Sequence, residues 1–245
     1  MRIVGIIQAR MGSTRLPGKV LRPLGEGGRS VLGWVVRAAR ESEALHDLLV
    51  ATTTLPDDDV VAEECARLGV ACHRGPVDDV LTRFTQAMDG RPGEAVMRFT
   101  ADCPLLDPTV IKEAALVFQA VPGLDYLSTS LARTLPRGLD VEIIGRAALE
   151  RCDREAVAYH RTHVTSHIYS EAADESRLLG LAYHPVAADL RVTLDTEDDW
   201  ALISRVVGEL GDGCVPVRTL VSWLRARPEV CGLNAHVRQK ALQDA

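Results

Sequence analysis

The stretch Ile3-Val4-Gly5-Ile6-Ile7-Gln8-Ala9-Arg10-Met11-Gly12-Ser13-Thr14-Arg15-Leu16-Pro17-Gly18-Lys19 sets an apolar strand directly against a cationic loop. Residues 3–8 read as a buried strand, and 9–19 hold two glycines, two hydroxyls and three cations. Such a loop at the carboxyl end of a first strand suits phosphate. Glycine lets the backbone approach closely, amides point inward, and Arg10, Arg15 and Lys19 offset the charge. It is not a Walker loop, which needs four residues before its Gly-Lys pair and Ser or Thr after it. Here five residues separate Gly12 from Gly18, and Val20 follows Lys19. Nor does a third glycine open a helix where a dinucleotide fingerprint requires one. The competing reading is an ordinary strand-to-helix turn that happens to be basic.

Outward from this stretch, strand and helix patterns alternate. Ser30 is placed to cap a helix over 31–36 and beyond, and Leu48 to Thr52 read as a buried strand. Pro56-Asp57-Asp58-Asp59 opens a helix through about Leu68, its acidic first turn suiting the helix dipole. A short strand at 71–73, a helix capped by Asp78-Asp79 and a strand at 95–100 follow. Pro108 then starts a helix through Gln119, with Asp107 as its cap. This order predicts an α/β fold with a mainly parallel sheet covered on both faces. Ligands in such sheets bind beyond the carboxyl ends of the strands, where loop 9–19 and Asp102 both fall. In the second half, strands are expected at 126–129, 138–144, 178–183 and 191–195, with 145–172 helical. No linker or repeat divides the chain, so a single domain over 1–245 is expected, with 124–185 an inserted arm or subdomain.

Apolar residues make up 47% and charged residues 25% of the 245, a globular balance. No apolar run approaches the ~18 to 20 residues of a spanning helix, and no cleavage pattern follows Met1. A cytoplasmic protein without a membrane partner is expected. The net charge of −6 argues against a general nucleic-acid binder, so a basic loop in an acidic chain points to a small anionic ligand. The six cysteines form no C-x-x-C pair and are expected as free thiols. Cys103 lies beside the candidate site, but no base is visible near it.

Asp102 and Asp195 each stand where a strand pattern runs out. Alone, such a residue is commonly a turn or cap; together in a parallel sheet, two carboxylates can converge on magnesium, which takes one or two of them plus substrate phosphates. With Arg10, Arg15 and Lys19 on a triphosphate, that pair suits nucleotidyl transfer, in which catalysis is mostly positioning and charge neutralisation. One or two metal ions could serve.

The run from Gln8 to Leu21 resembles the signature of the cytidylyltransferases that activate acidic sugars, in the subgroup of the spore coat polysaccharide biosynthesis protein F. Further matches are Arg74-Gly75 with Asp78-Asp79-Val80-Leu81, and Arg98 with Thr100-Ala101-Asp102-Cys103-Pro104-Leu105. Pro136 to Glu142, His163-Val164-Thr165 and Arg191 to Asp198 complete the set over most of 1–210. The resemblance implies a three-layer α/β/α, Rossmann-like fold of the nucleotide-diphospho-sugar-transferase type and transfer of a nucleoside monophosphate, CMP from CTP first, with release of pyrophosphate. It implies phosphate contacts from Arg10 and Lys19, aided by Ser13 and Thr14, within a nucleotide site of Ala9, Arg10, Gly12, Ser13, Thr14, Arg15, Lys19, Arg74 and Asp79. Asp102 and Asp195 become Mg2+ ligands, and Arg10, Lys19, Asp102 and Asp195 the catalytic set. Arg137, Asp140, Arg161 and His163 are acceptor-site candidates, 124–185 the acceptor and dimer-arm region, and a homodimer is implied. Two departures from the pattern, Ala101 for Gly and Thr162 for Glu, bear on the substrate more than on the reaction.

His160, His163 and His167 have spacings that can share a helical face, and zinc is one conceivable use; a partly exposed helix face is the other. The alternatives to a CMP transferase are use of GTP, UTP or ATP on a sugar phosphate or phosphonate, a glycosyltransferase of similar architecture, and a non-catalytic nucleotide-binding module. Against the glycosyltransferase, no D-x-D follows a strand. Nothing functional is legible after about residue 210.

Overall fold

The computed structural model describes residues 1–239. Strand β1 (Ile3–Gln8) leads into the basic loop, a short 3-10 turn at Lys19–Leu21 and a small ribbon of β2 (Pro23–Leu24) and β3 (Arg29–Ser30). Then come α1 (Val31–Glu41), β4 (Asp47–Thr53), α2 (Asp59–Arg67), β5 (Ala71–Gly75), α3 (Val80–Ala87), β6 (Ala95–Thr100) and α4 (Pro108–Ala120). The remainder is β7 (Tyr126–Ser128), β8 (Glu142–Gly145), α5 (Arg146–Glu155), α6 (Tyr159–Thr162), α7 (Ser166–Tyr169), β9 (Leu178–Gly180), α8 (Glu197–Leu210), α9 (Val217–Arg225) and α10 (Pro228–Cys231).

Among the described residues, seven strands form one sheet in the order β5-β4-β1-β6-β8-β7-β9. Strands β5, β4, β1 and β6 are parallel; β8 runs antiparallel to β6 and β7, and β9 is parallel to β7. The chain leaves β1 toward β4 on one side and returns to β6 on the other. The crevice between β1 and β6 is therefore the switch point at which such sheets hold ligands.

Strand residues alternate between two apolar layers, as the pleat requires. Ile3, Ile7, Met97 and Phe99 pack with α1, α2, α4, α8 and α9, while Val4, Ile6, Leu49 and Val96 pack with α3, α5 and α7. Burial on both faces explains why these strands read as continuous apolar runs rather than alternating ones. The expected three-layer α/β/α, Rossmann-like fold is what the chain forms. No helix among the described residues is long and apolar enough to cross a membrane.

The second half departs from expectation in detail. The strand expected over 138–144 begins only at Glu142, because Gly138, at φ +104°, turns the chain sharply before it. The helical stretch expected over 145–172 is three helices, interrupted where Ala158 and Val164 take positive φ. The strand expected over 178–183 stops at Gly180, after which Tyr183 N donates to Thr134 Oγ1 and the chain leaves the sheet. Residues 191–195 are not a strand. They form one isolated bridge, Arg137 with Arg191, and then cross the end of β6 as Leu194 N donates to Asp102 O at 2.8 Å.

Candidate active site

The basic loop is held by its backbone. Ala9 N donates to Ala51 O, Ser13 N and Gly18 N both donate to Met11 O, and buried Leu16 anchors the middle. Gly18 sits at φ +70°, a conformation that favours glycine. Met11 N donates to Asp58 Oδ1 at 2.6 Å, and the other Asp58 oxygen accepts from Thr53 Oγ1. Asp58 is buried, so the acidic turn read as a dipole partner does more: it pins loop 9–19 to the end of β4. Gly12 is exposed, and a Cβ there would meet nothing within 4 Å. Packing within the chain does not demand glycine at that position.

Lys19, Asp102 and Asp195 converge although 83 and 176 positions separate the lysine from its two partners. Lys19 Nζ donates to Asp102 Oδ2 at 2.7 Å, Asp195 Oδ1 at 2.8 Å and Leu194 O at 2.6 Å. Asp102 is placed by Ala101 N on Gln8 O and by the 193–194 segment, whose Thr193 Oγ1 also donates to Asp102 O. That segment fits only because residue 138 lacks a side chain: a Cβ on Gly138 would lie 2.5 Å from Thr193 N. The second oxygen of Asp195 accepts from Arg191 at 2.8 Å and pairs with Arg15 at 3.1 Å. Burial pushes the Asp195 carboxyl upward, but Lys19, Arg191 and Arg15 outweigh it and hold it below the usual carboxylate range. Burial would likewise lower the Lys19 ammonium, yet the two carboxylates raise it on balance.

Behind Asp195 stands Asp199, fully buried in the first turn of α8. Its carboxylate accepts from Arg191 Nε (2.8 Å) and NH2 (3.0 Å), Asp195 N (2.9 Å), Thr196 N (3.0 Å) and Asn234 Nδ2 (2.8 Å). Thr196 completes a capping box with Asp199. The sequence reading missed this brace. Arg191 and Asp199 lie four positions either side of Asp195, and Thr196-x-x-Asp199 is a helix-start pattern, so both had a local signal. Asn234 had none, being 35 positions from its partner.

The other expected site residues fall differently. Arg10 is exposed, with no ion pair among the described residues, and Arg15 reaches Asp195. Arg74 donates to Thr53 O and Leu55 O at 2.9 Å each and pairs with Asp59 at 2.6 Å. Asp79 caps α3 through Thr82 N and pairs with Arg161 at 2.6 Å, while Arg161 also pairs with Asp153 at 2.6 Å. These groups tie α3, α5 and α6 together. Asp140 pairs with Arg133 at 2.7 Å; Arg137 is half-buried, and burial, then Arg133, hold its guanidinium below the usual value. His163 lies in the turn after α6, its ring centroid 6.4 Å from that of Tyr159. The interrupted helix brings His160 and His167 into edge contact at 5.5 Å, and no set of three metal-binding side chains forms among the described residues. Cys103 is buried, and burial, then Asp102, push its thiol upward, away from nucleophile chemistry. The six cysteines are free thiols.

A family model described as cytidylyltransferase matches residues 4–201, spanning Asp102, Asp195 and the whole of loop 9–19. The chain belongs to the cytidylyltransferase family. It is 30% identical over 235 residues to the spore coat polysaccharide biosynthesis protein SpsF of Bacillus subtilis, covering 93% of this chain and 95% of that one. It is 33% identical over 125 residues, about half of each chain, to the 3-deoxy-manno-octulosonate cytidylyltransferase of Bdellovibrio bacteriovorus. The solved structure of a cytidylyltransferase from Leptospira borgpetersenii superposes with TM-score 0.89 at 26% identity, over 98% of this chain and 99% of that one. This cytidylyltransferase is therefore a nucleotidyltransferase enzyme, and neither a glycosyltransferase nor a non-catalytic module describes it. The brace residue Asn234 lies beyond the segment that the family model matches.

Proposed function

We propose that this cytidylyltransferase moves CMP from CTP onto an acidic sugar or a related acceptor, releases pyrophosphate, and uses Mg2+ held by Asp102 and Asp195. The observation that carries the reading is the meeting of the phosphate-loop cations Lys19 and Arg15 with those two carboxylates at the β1–β6 switch point. The donor set fits a hard divalent ion: two carboxylate oxygens lie 2.7 and 2.8 Å from one nitrogen, so they already converge on a single cation. Two carboxylates with substrate phosphates are a common magnesium environment. When bound, the metal would neutralise phosphate charge as pyrophosphate departs.

The chain's own groups supply the rest. Arg10, Arg15 and Lys19 hold the triphosphate, joined by the amides and hydroxyls of Gly12, Ser13 and Thr14. Open space above Gly12 leaves room for a phosphate to approach the backbone. The acceptor hydroxyl oxygen bonds to the α-phosphorus, its proton passing to solvent, as the α–β bridging bond breaks, and pyrophosphate leaves in line. Arg137, half-buried and without an ion pair among the described residues, suits an acceptor carboxylate, with Asp140 and His163 as its companions. Asp79 and Arg161 act through the placement of α3 and α6, and Arg74 through that of residues 53–59, rather than by contact. The acidic sugar of the Bdellovibrio relative's name supports that acceptor class.

Thermal stabilisation by CTP, GTP, UTP and ATP, each with and without Mg2+, tests the reading, because a bound ligand raises the melting temperature with its occupancy. A Mg2+-dependent shift with CTP, lost in Asp102→Asn, followed by pyrophosphate release with an acidic sugar, is the expected result. A shift confined to another triphosphate would replace the base, and Mg2+-independent binding would remove the metal.

A further inference from the structure

We propose that Lys19 is the resident counter-ion of the Asp102–Asp195 pair, so that a divalent cation enters this seat only together with the triphosphate that draws the ammonium away. The inference rests on the nucleotidyl-transfer reading and adds to it an order of binding. An ammonium has three donors, and here all three are used, on Asp102 Oδ2, Asp195 Oδ1 and Leu194 O. The lysine side chain is only 9% exposed, so it is a packed component of the seat rather than a passing surface contact. A metal drawing on the same two oxygens and the ammonium cannot share that point.

Charge makes the exclusion stronger. Asp102, Asp195 and Asp199 face Lys19, Arg15 and Arg191, a set of three anions and three cations that is already neutral. A free dication would bring two positive charges into a neutral cluster. A triphosphate carrying its metal brings net negative charge, and gives Lys19 and Arg15 new partners as they release the carboxylates. The exchange needs little movement of the backbone, because loop 9–19 is fixed through Met11 and Leu16 while the two cations reach inward on long, jointed stems. Lys19 thus has two successive roles at one site, first on the carboxylates and then on the phosphates.

The test is Mn2+ binding followed by the spin-resonance signal of the free ion, a readout independent of turnover. Without nucleotide, wild type should bind Mn2+ weakly. Lys19→Met, which removes the charge and keeps the stem, should bind free Mn2+ about tenfold or more tightly than wild type, given the strength of a unit charge a few ångströms away. Lys19→Arg retains a cation and should stay weak. Adding a non-reacting CTP analogue should tighten Mn2+ binding to wild type beyond the affinity of Mn2+ for the analogue alone, and should do so less in Lys19→Met. Equal free-Mn2+ affinity in wild type and Lys19→Met would overturn the counter-ion role. Should Lys19→Met fail to fold, tight binding of free Mn2+ to wild type, unchanged by the analogue, would overturn it equally. Failure of the underlying metal assignment looks different: Asp102→Asn would then bind Mn2+ with the analogue as wild type does.

Discussion

Replacing Asp199 with Asn is the most revealing single perturbation of the brace behind Asp195. The carboxylate is fully buried and receives five donors, two of them from Arg191, whose side chain is only 9% exposed. Asparagine keeps the shape but removes the charge, and it turns one acceptor atom into a donor facing other donors. The Arg191 guanidinium is left with Asp195 alone, a carboxylate it already shares with Lys19 and Arg15. Breaking one side of a buried ion pair costs about 3–5 kcal/mol. For a chain of this size each kcal/mol moves the melting temperature by roughly 2–4 °C, so Asp199→Asn should melt roughly 6–20 °C below wild type at pH 7. Burial raises the Asp199 carboxyl, but Arg191, Asn234 and the Asp195 amide outweigh it and hold it below its ordinary value. The sign follows: the stabilisation is complete above the ordinary carboxyl range and lost as pH falls through the depressed folded value. The gap between wild type and variant should therefore narrow in strong acid. Asn234→Ala removes one donor of five and should cost only about 1–2 kcal/mol. Calorimetric melts of the three proteins at pH 7 and in acid decide it. An Asp199→Asn melting point within about 2 °C of wild type, or Asn234→Ala as damaging as Asp199→Asn, would refute the reasoning.

Three further outcomes are expected. Gly138→Ala places a Cβ 2.5 Å from Thr193 N at φ +104°, and strain plus overpacking should lower the free energy of denaturant unfolding by about 2–4 kcal/mol while weakening metal-triphosphate binding. Asp58→Ala strands Met11 N and Thr53 Oγ1 and should cost about 2–4 kcal/mol, with KM for the triphosphate rising more than kcat falls in a pyrophosphate-release assay. His160 is buried against His167, and burial, then His167, hold its imidazole below 6.5 despite Glu171 nearby. The neutral form is favoured in the fold, so its stability is full above that value and declines as pH falls toward the folded value. Denaturation at stepped pH should show this acid-side loss in wild type and a flatter profile in His160→Gln.

What was legible in the chain, and what was not, divides by the range of the interactions. Ser30, Asp79 and Asp107 each cap the helix that follows, through donors two or three residues on, so their roles could be read locally. The parallel core was legible because strands buried on both faces must be apolar throughout. Residues 191–195 misled for a related reason: Val192, Thr193 and Leu194 are buried like strand residues, but they are covered by the end of β6 and the Gly138 turn instead of by a sheet neighbour. Periodicity reports burial, not the partner that causes it. The helices of 145–172 were over-extended because nothing in Ala158 or Val164 announces the positive φ that each adopts. Asn234 and Asp58 were invisible as site residues because each acts through a partner that only the finished fold brings near.

The same distinction bears on how the site is made. Lys19, Asp102 and Asp195 come from the first loop, the end of β6 and the segment before α8, so no local unit contains even two of them. Any one brought in without the others would be a partly buried charge lacking its counterpart, a situation that costs several kcal/mol. The neutral set is therefore stable only as a whole, and its members should respond to mutation non-additively. Loss of Asp199 loosens Arg191, which shares Asp195 with Lys19 and Arg15, so a defect in the structural brace should also redistribute the cations around Asp195. In a double-mutant cycle, Asp199→Asn combined with Lys19→Met should cost measurably less or more than the sum of the singles. Simple additivity would mean that brace and seat are independent, and that the tail carrying Asn234 contributes to stability alone.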